Sequence, residues 1–519
     1  MRRIRAWLSI LTSATLALGA CGGDDGEGGG GNGGDTSSSS ISAGGGGGGG
    51  GGDGGSGGGD GGSGGGDGGS GGLGGSGGDG GAGGGDGGSG GLGGSGGGDG
   101  GSGTPPAGED WTRDILSTAL DLDITTLAGK ATIVLAPSDS TAASFEVGDL
   151  EITSVQDPSG ALEYELRPGQ LHVGVPSTGS NATLVIDYTF KPHASFDGWM
   201  PEQGVSLLWP NFCGNLFPCK SDPSEGVIFT MHVTGVPEGM TAIYPDRIPV
   251  AAPSYMPAIA VAEFIKLELG TTPGGTHVNV WHLPGEEANA ASGAAHLVEV
   301  FDFLETTYGP YPFGSSVGPV SADWGGGAYG GMEHHPFWHV ASSALASEDV
   351  TAHEAAHGWF GNGVRIACWE DFVLSEGTAT YLAAHALEQV GVDAWADYEC
   401  QLKTICDPEG TRNTIALPDT CNEIDILTHP LWSNVPYMKG AFFFRQVAEV
   451  IGAGVLDQAL REFYLTNVGD AARMQDLLDH IETSTDSDGA AAVDALATEW
   501  LRTRDCPVDL ATLCPEAAP

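Results

Sequence analysis

The sequence predicts an α+β, multi-domain chain: an N-terminal antiparallel β-rich domain followed by a mostly helical one, with a disordered glycine-rich stretch ahead of both. Three observations carry this. Most of the 91 glycines lie between residues 22 and 108. Over residues 109–276 apolar side chains alternate in steps of two, and beyond residue 277 they recur in steps of three and four, the helical period. About 410 residues follow the glycine-rich stretch, enough for two or three domains with ample core.

The first 20 residues read as a secretory signal. Arg2, Arg3 and Arg5 form a basic region, and residues 6–17 an apolar core too short to span a bilayer comfortably. Leu18, Gly19, Ala20 and Cys21 resemble a lipobox, in which the cysteine is diacylated and becomes the new N-terminus. More than one lipid chain gives stable anchoring, so the expectation is an extracytoplasmic lipoprotein held through Cys21, at the outer membrane or cell surface. A conventional cleaved signal with an incidental Cys21 is the alternative. Residues 21–108, with GGDGGSG units repeating from residue 51, have almost nothing to bury and cannot offset their ordering entropy. They are expected to act as a flexible tether with a span of roughly 50 Å. A calcium-binding glycine repeat would want an apolar residue in every unit, and only Leu73 and Leu92 are available.

In residues 109–276, Leu120, Leu122 and Ile124 alternate, as do Leu171, Val173 and Val175, and Leu184, Ile186 and Tyr188, with Gly, Pro, Asp and Ser between the runs. This is the pattern of an antiparallel sheet with one face buried. The second folded domain is expected over residues 277–507, with 508–519 as a tail. At residues 291–307 the stripe Ala294, Leu297, Val298, Phe301 and Leu304 predicts one amphipathic helix, broken by YGPYPF. In WGGGAYGGMEHHPFWHV, the glycines, Gly330 and Gly331 among them, would let the backbone around Met332 run close beside an extended ligand. His334, His335 and His339 read as packing histidines rather than as a metal site.

The chemistry concentrates in residues 350–381, VTAHEAAHGWFGNGVRIACWEDFVLSEGTATY. His353 and His357 are four apart, so on a helix both imidazoles leave one face and reach one ion. A catalytic zinc usually takes three protein ligands, and Glu376, after eighteen intervening residues, is the candidate third, on a second helix through LSEGTATYLAAHALEQ. Glu354, between the histidines, is then free to act as general base on a water whose pKa the ion lowers. Farther on, HPLWSNVPYMKGAFFFRQVAEVIG begins with turn residues and becomes helical at about Tyr437.

Cysteine usage fits export. Of nine cysteines, Cys21 set aside leaves eight, an even number that suggests disulfides. Close spacing suggests Cys213 with Cys219, Cys400 with Cys406 and Cys506 with Cys514, leaving Cys368 for Cys421, among 105 possible connectivities. The net charge is −48, from 19 Lys and Arg against 67 Asp and Glu. About ten of the acids lie in the tether, so the folded part is itself acidic, which argues against nucleic acid as a partner. Such a surface either draws in cationic peptides or serves solubility.

The flanking residues add a family. YGGMEH at residues 329–334, HEAAHGWFGN, WEDFVLSEGTATY and YMKG at residues 437–440 resemble, in order, the motifs of the M1 family of zinc aminopeptidases, with LFPCKSDPSEG and YGPYPF as weaker parallels. The resemblance runs from about Trp111 to Pro507. It implies a thermolysin-like catalytic domain with one zinc ion, Glu333 binding the free α-amino group of a peptide substrate and Tyr437 donating a hydrogen bond to the oxyanion. Gly331 and His334 depart from the family's Ala and Asn, and the position of a further amine-contacting Gln falls near Leu207. Larger members carry a helical domain roofing the site; the expectation here is an open cleft. The implied function is removal of N-terminal residues from peptides at the cell envelope. Two rivals are a zinc endopeptidase without an amine anchor and a non-catalytic binding module on a peptidase fold. Oligomeric state and side-chain preference are not readable from the sequence.

Overall fold

A computed structural model of the chain describes residues 105–324, 330–406 and 414–514. The expected signal, the lipid-bearing Cys21, nearly all of the tether, Tyr329 and the last five residues lie outside the described residues. Among the described residues no helix is long and apolar enough to cross a membrane.

The β-rich part forms as the alternation predicts. Its largest sheet orders the strands Arg247–Ala252, Val227–Thr234, Ile115–Asp123, Ala128–Leu135, Ala182–Thr189, Glu151–Asp157 and Gly160–Ala161. Leu120 and Leu122 face the core, as do Leu184, Ile186 and Tyr188, with less buried residues between them. Leu120 sits opposite Ala131 on one neighbour and Met231 on the other. One departure from a purely antiparallel sheet is the parallel pairing of Ile115–Asp123 with Val227–Thr234, strands more than a hundred residues apart and so free of any hairpin constraint.

The boundary expected at residue 276 falls inside a hairpin, because Ile265–Thr271 pairs with His277–His282 and Thr271 lies opposite His277. This hairpin opens a mixed sheet that continues through Val320–Ala322 and His339–Ala341 to a short edge strand, Gly331–Met332. The helices follow. The single helix expected over residues 291–307 is two, α1 (Glu287–Gly293) and α2 (Leu297–Tyr308). The break comes where His296 turns outward: its backbone N–H and Nδ1 bond the Glu348 carboxylate at 3.1 and 2.7 Å instead of continuing a ladder.

Two helices then carry the centre of the molecule, α3 (Glu348–Ala356) and α4 (Phe372–Gln389). After α5 (Trp395–Ile405) comes α6 (Asn434–Ile451), which starts one turn earlier than expected: Ser433 caps it by accepting from Val435 N–H, and Pro436 is tolerated in a first turn that needs no donor. Helix α6 crosses α4 at paired glycines. A Cβ on Gly440 would lie 2.5 Å from the Gly377 Cα, so the two backbones touch in a way no other residue pair permits. Helices α7 (Ala453–Asn467), α8 (Met474–Thr483) and α9 (Ser487–Leu501) complete the part. The buried Lys439 ties α6 to the chain after α9, donating to the carbonyls of Thr503, Arg504 and Asp505 at 2.8, 2.8 and 3.2 Å.

Cys213–Cys219 and Cys368–Cys421 pair as the spacing suggests. The other two do not: Cys400 bonds Cys514 and Cys406 bonds Cys506. Cys400 lies on α5 and Cys406 caps it, and six helical residues separate side chains by about 9 Å along the axis, beyond disulfide reach. Both bonds pin the segment after α9, so the described residues from 508 to 514 are a cross-linked strap rather than a free tail, with Lys403 Nζ bonded to the Leu513 carbonyl at 3.1 Å.

Candidate active site

Helix α3 is well started for its task. Ser347 accepts from Val350 N–H at the N-cap, and Glu348 and Asp349 place negative charge on the first turn, where the helix dipole favours it. His353 falls in the last turn, and His357 at the C-cap keeps helical backbone angles, so the i, i+4 spacing holds to the end. Helix α4 packs alongside and presents Glu376 from its second turn.

The three donors converge. His353 Nε2 lies 3.2 Å and His357 Nε2 3.3 Å from Glu376 Oε2, and the two nitrogens are 3.1 Å apart. Those separations match the edge of a tetrahedron with metal bonds of about 2.0–2.1 Å, roughly 3.3 Å, so the donor set fits zinc in both chemistry and spacing. Each imidazole is held from behind. His357 Nδ1 donates to the Phe360 carbonyl at 3.0 Å, and His353 Nδ1 meets Thr380 Oγ1 at 3.3 Å, whose own proton goes to the Glu376 carbonyl. Both Nε2 atoms are thereby left as acceptors for a metal. Burial would raise the Glu376 carboxyl, but His357 and the bonds from both histidines outweigh it and hold it down at about 2. Conversely burial would lower His357, and the surrounding carboxylates, Glu376 first, raise it to about 10. A site that binds a proton this firmly is one built for positive charge.

One cavity gathers all the residues singled out from the sequence: His353, His357, Glu376, Glu354, Tyr437, Glu333, Gly330, Gly331 and Met332. Glu354 projects towards the edge strand, where a Cβ on Gly331 would stand 2.2 Å from its Oε1. That accounts for glycine at this position. Burial raises the Glu354 carboxyl well above its usual range, and the charges of Glu333 and Glu376 add to it. Tyr437 stacks on the His353 ring at 5.6 Å and its hydroxyl bonds Glu376.

Some site residues were not anticipated. Leu207 is fully buried and does not line the cavity, whereas Trp209, two residues on, does, facing Trp432 at a centroid distance of 5.3 Å. The segment leading to Trp432 is held by the fully buried Glu370, which accepts from Asn422 N–H at 2.9 Å, Glu423 N–H at 2.8 Å and Thr420 Oγ1 at 3.3 Å. His335 bonds Tyr311 through Nδ1 at 2.7 Å and the Glu354 carbonyl through Nε2 at 2.8 Å, bracing the end of α3. Burial drives both His335 and His339 down to about 3, so they are neutral packing groups. Among the described residues the other convergent His, Cys, Asp or Glu group is Cys368, Asp371 and Cys421, whose cysteines are joined as a disulfide.

Residues 332–500 match the Peptidase family M1 domain. Over that stretch, which holds the metal donors, the chain is similar to peptidase family M1. The chain is 24% identical over 395 residues to leucine aminopeptidase 2-1 of Meyerozyma guilliermondii, an alignment covering 69% of this chain and 61% of that protein. It is 23% identical to a leukotriene A-4 hydrolase homolog of Botryotinia fuckeliana over 49% of this chain and 42% of that one. The chain therefore spans less than two thirds of the length of these relatives. In fold it matches the M1 zinc metallopeptidase of Deinococcus radiodurans, with a TM-score of 0.64 at 21% identity, over 78% of this chain and 96% of that one. Native yeast LTA4 hydrolase matches with a TM-score of 0.63 at 20% identity, over 76% and 69%. The β-rich part followed by a helical part is the arrangement these M1 structures share.

Proposed function

We propose that this chain is a zinc-dependent aminopeptidase that removes N-terminal residues from peptides outside the cytoplasm, tethered to a membrane through lipid on Cys21. The observation that carries the reading is one cavity in which three metal donors, a free carboxylate, a phenol and a second free carboxylate have distinct places. A zinc ion held by His353, His357 and Glu376 supplies Lewis acidity, polarising a carbonyl and acidifying a water. Glu354 takes the proton from the attacking water and delivers it to the departing amine. Tyr437, after releasing Glu376, donates to the oxygen on which negative charge develops, favouring the transition state over the ground state. Glu333 pairs with the ammonium of the first residue, and the edge backbone at Gly330 to Met332 takes the extended peptide. The signal and tether readings support the location.

An endopeptidase is the second reading, favoured by the replacement of a hydrogen-bonding side chain near residue 207 with apolar Leu207 and Trp209. Comparing one peptide with its N-acetylated form separates the two. The expected result is a kcat/KM lower by on the order of 10²-fold or more for the blocked peptide; equal rates would overturn the aminopeptidase reading.

A further inference from the structure

Three carboxylates line the cavity, and each needs a different fate: Glu376 on the metal, Glu354 free for a proton, Glu333 free for an ammonium. Glu376 is set apart by its two histidines. What keeps Glu333 from swinging towards the same positive centre is not obvious from its own segment, since it follows Gly330 and Gly331, which offer no side-chain packing.

The restraint comes from elsewhere. Asn362, fully buried just past α3, bonds the His357 carbonyl through its backbone N–H at 3.1 Å and donates from Nδ2 to the Glu333 carbonyl at 2.5 Å. Tyr255, from the turn that leads out of the strand Arg247–Ala252, sends its hydroxyl to the same spot. That hydroxyl donates to Asn362 Oδ1 at 3.5 Å, and burial first, with the nearby Glu333 charge second, pushes the phenol well above its usual range. A phenol has one proton to give. It goes to the Asn362 amide oxygen, which leaves the Asn362 Nδ2 donor turned towards the Glu333 carbonyl. Tyr255 is 7% exposed.

We infer that Tyr255 is a positioning residue for amine recognition: it orients Asn362, which holds the Glu333 main chain, and so keeps the Glu333 carboxylate aimed at the α-ammonium of the substrate. This rests on the aminopeptidase reading above, and the test separates the two. Inhibition constants are measured for leucine hydroxamate and for its des-amino analogue 4-methylpentanohydroxamate, on the wild-type zinc protein and on Tyr255→Phe, alongside zinc content. In the wild type the amine-bearing hydroxamate binds more tightly. In Tyr255→Phe it is expected to weaken about tenfold, as loss of one buried hydrogen bond would give, while the des-amino compound stays within about twofold and zinc remains at one per chain. An unchanged ratio of the two constants in the variant overturns the inference. A wild type that does not distinguish the two compounds overturns the aminopeptidase reading instead. Should Tyr255→Phe fail to fold, Asn362→Ser releases the other half of the clamp and must show the same selective loss; equal weakening of both compounds then counts against it.

Discussion

The metal side and the amine side of this cavity are built in different ways. The metal side is local: His353, Glu354, His357 and Glu376 come from two helices that follow each other in the chain, and each imidazole is locked by a partner on those helices or the turn between them. The amine side is assembled from afar. Trp209 and Tyr255 come from the β-rich part, Glu333 from a sheet edge and Trp432 from the segment before α6, with Tyr255 and Asn362 separated by 107 residues. On the aminopeptidase proposal, the hydrolytic chemistry would depend on helix geometry and the choice of substrate on how the β-rich part packs on the helical one.

The sharpest way to probe the comparison is to remove one function from each side. On the metal side, Glu354→Gln keeps the shape of the cavity and removes the base; turnover is expected to fall by roughly 10³-fold with zinc still bound at one per chain. Retained turnover would show that the proton goes elsewhere. On the other side, Trp432→Ala removes half of the aromatic wall. Peptides with a large apolar first residue are expected to lose roughly tenfold in kcat/KM, as pocket contacts of this kind are worth, while those beginning with Ala change little. A uniform loss across first residues would mean that Trp432 only supports the fold.

The smallest effect concerns pH. Asp349, in the first turn of α3, is bonded by the Tyr398 hydroxyl, yet burial pushes its carboxyl from 3.8 up to about 6. The folded state therefore holds an extra proton between those values, and this group's contribution to stability falls as pH rises through the window. Asp349→Asn removes the ionisation. Its melting temperature relative to wild type is expected to gain most above pH 6 and to lose the gain below about pH 4; a gain independent of pH would contradict the assignment.

Legibility follows the same division. The H-E-x-x-H spacing and the distant Glu376 are periodic signals, and a helix converts them directly into shared faces. The alternation at Leu184, Ile186 and Tyr188 likewise became a buried sheet face. Trp209, Tyr255 and Asn362 left no such trace, because a contact across a hundred residues has no period. Cysteine pairing failed for a related reason: nearness in sequence predicts nearness in space only where the chain turns, and Cys400 and Cys406 belong to a helix that holds them apart. The break between α1 and α2 was hidden because the Ala294 to Leu304 stripe is apolar throughout, and only the bond from His296 to Glu348 reveals where the ladder stops.

The most direct measurement is anomalous scattering at the zinc edge from crystals of the protein. The account expects a single peak within about 2.0–2.2 Å of the Nε2 atoms of His353 and His357 and of a Glu376 oxygen. No peak there, or a zinc ion bound elsewhere with these three side chains paired only to one another, would contradict it.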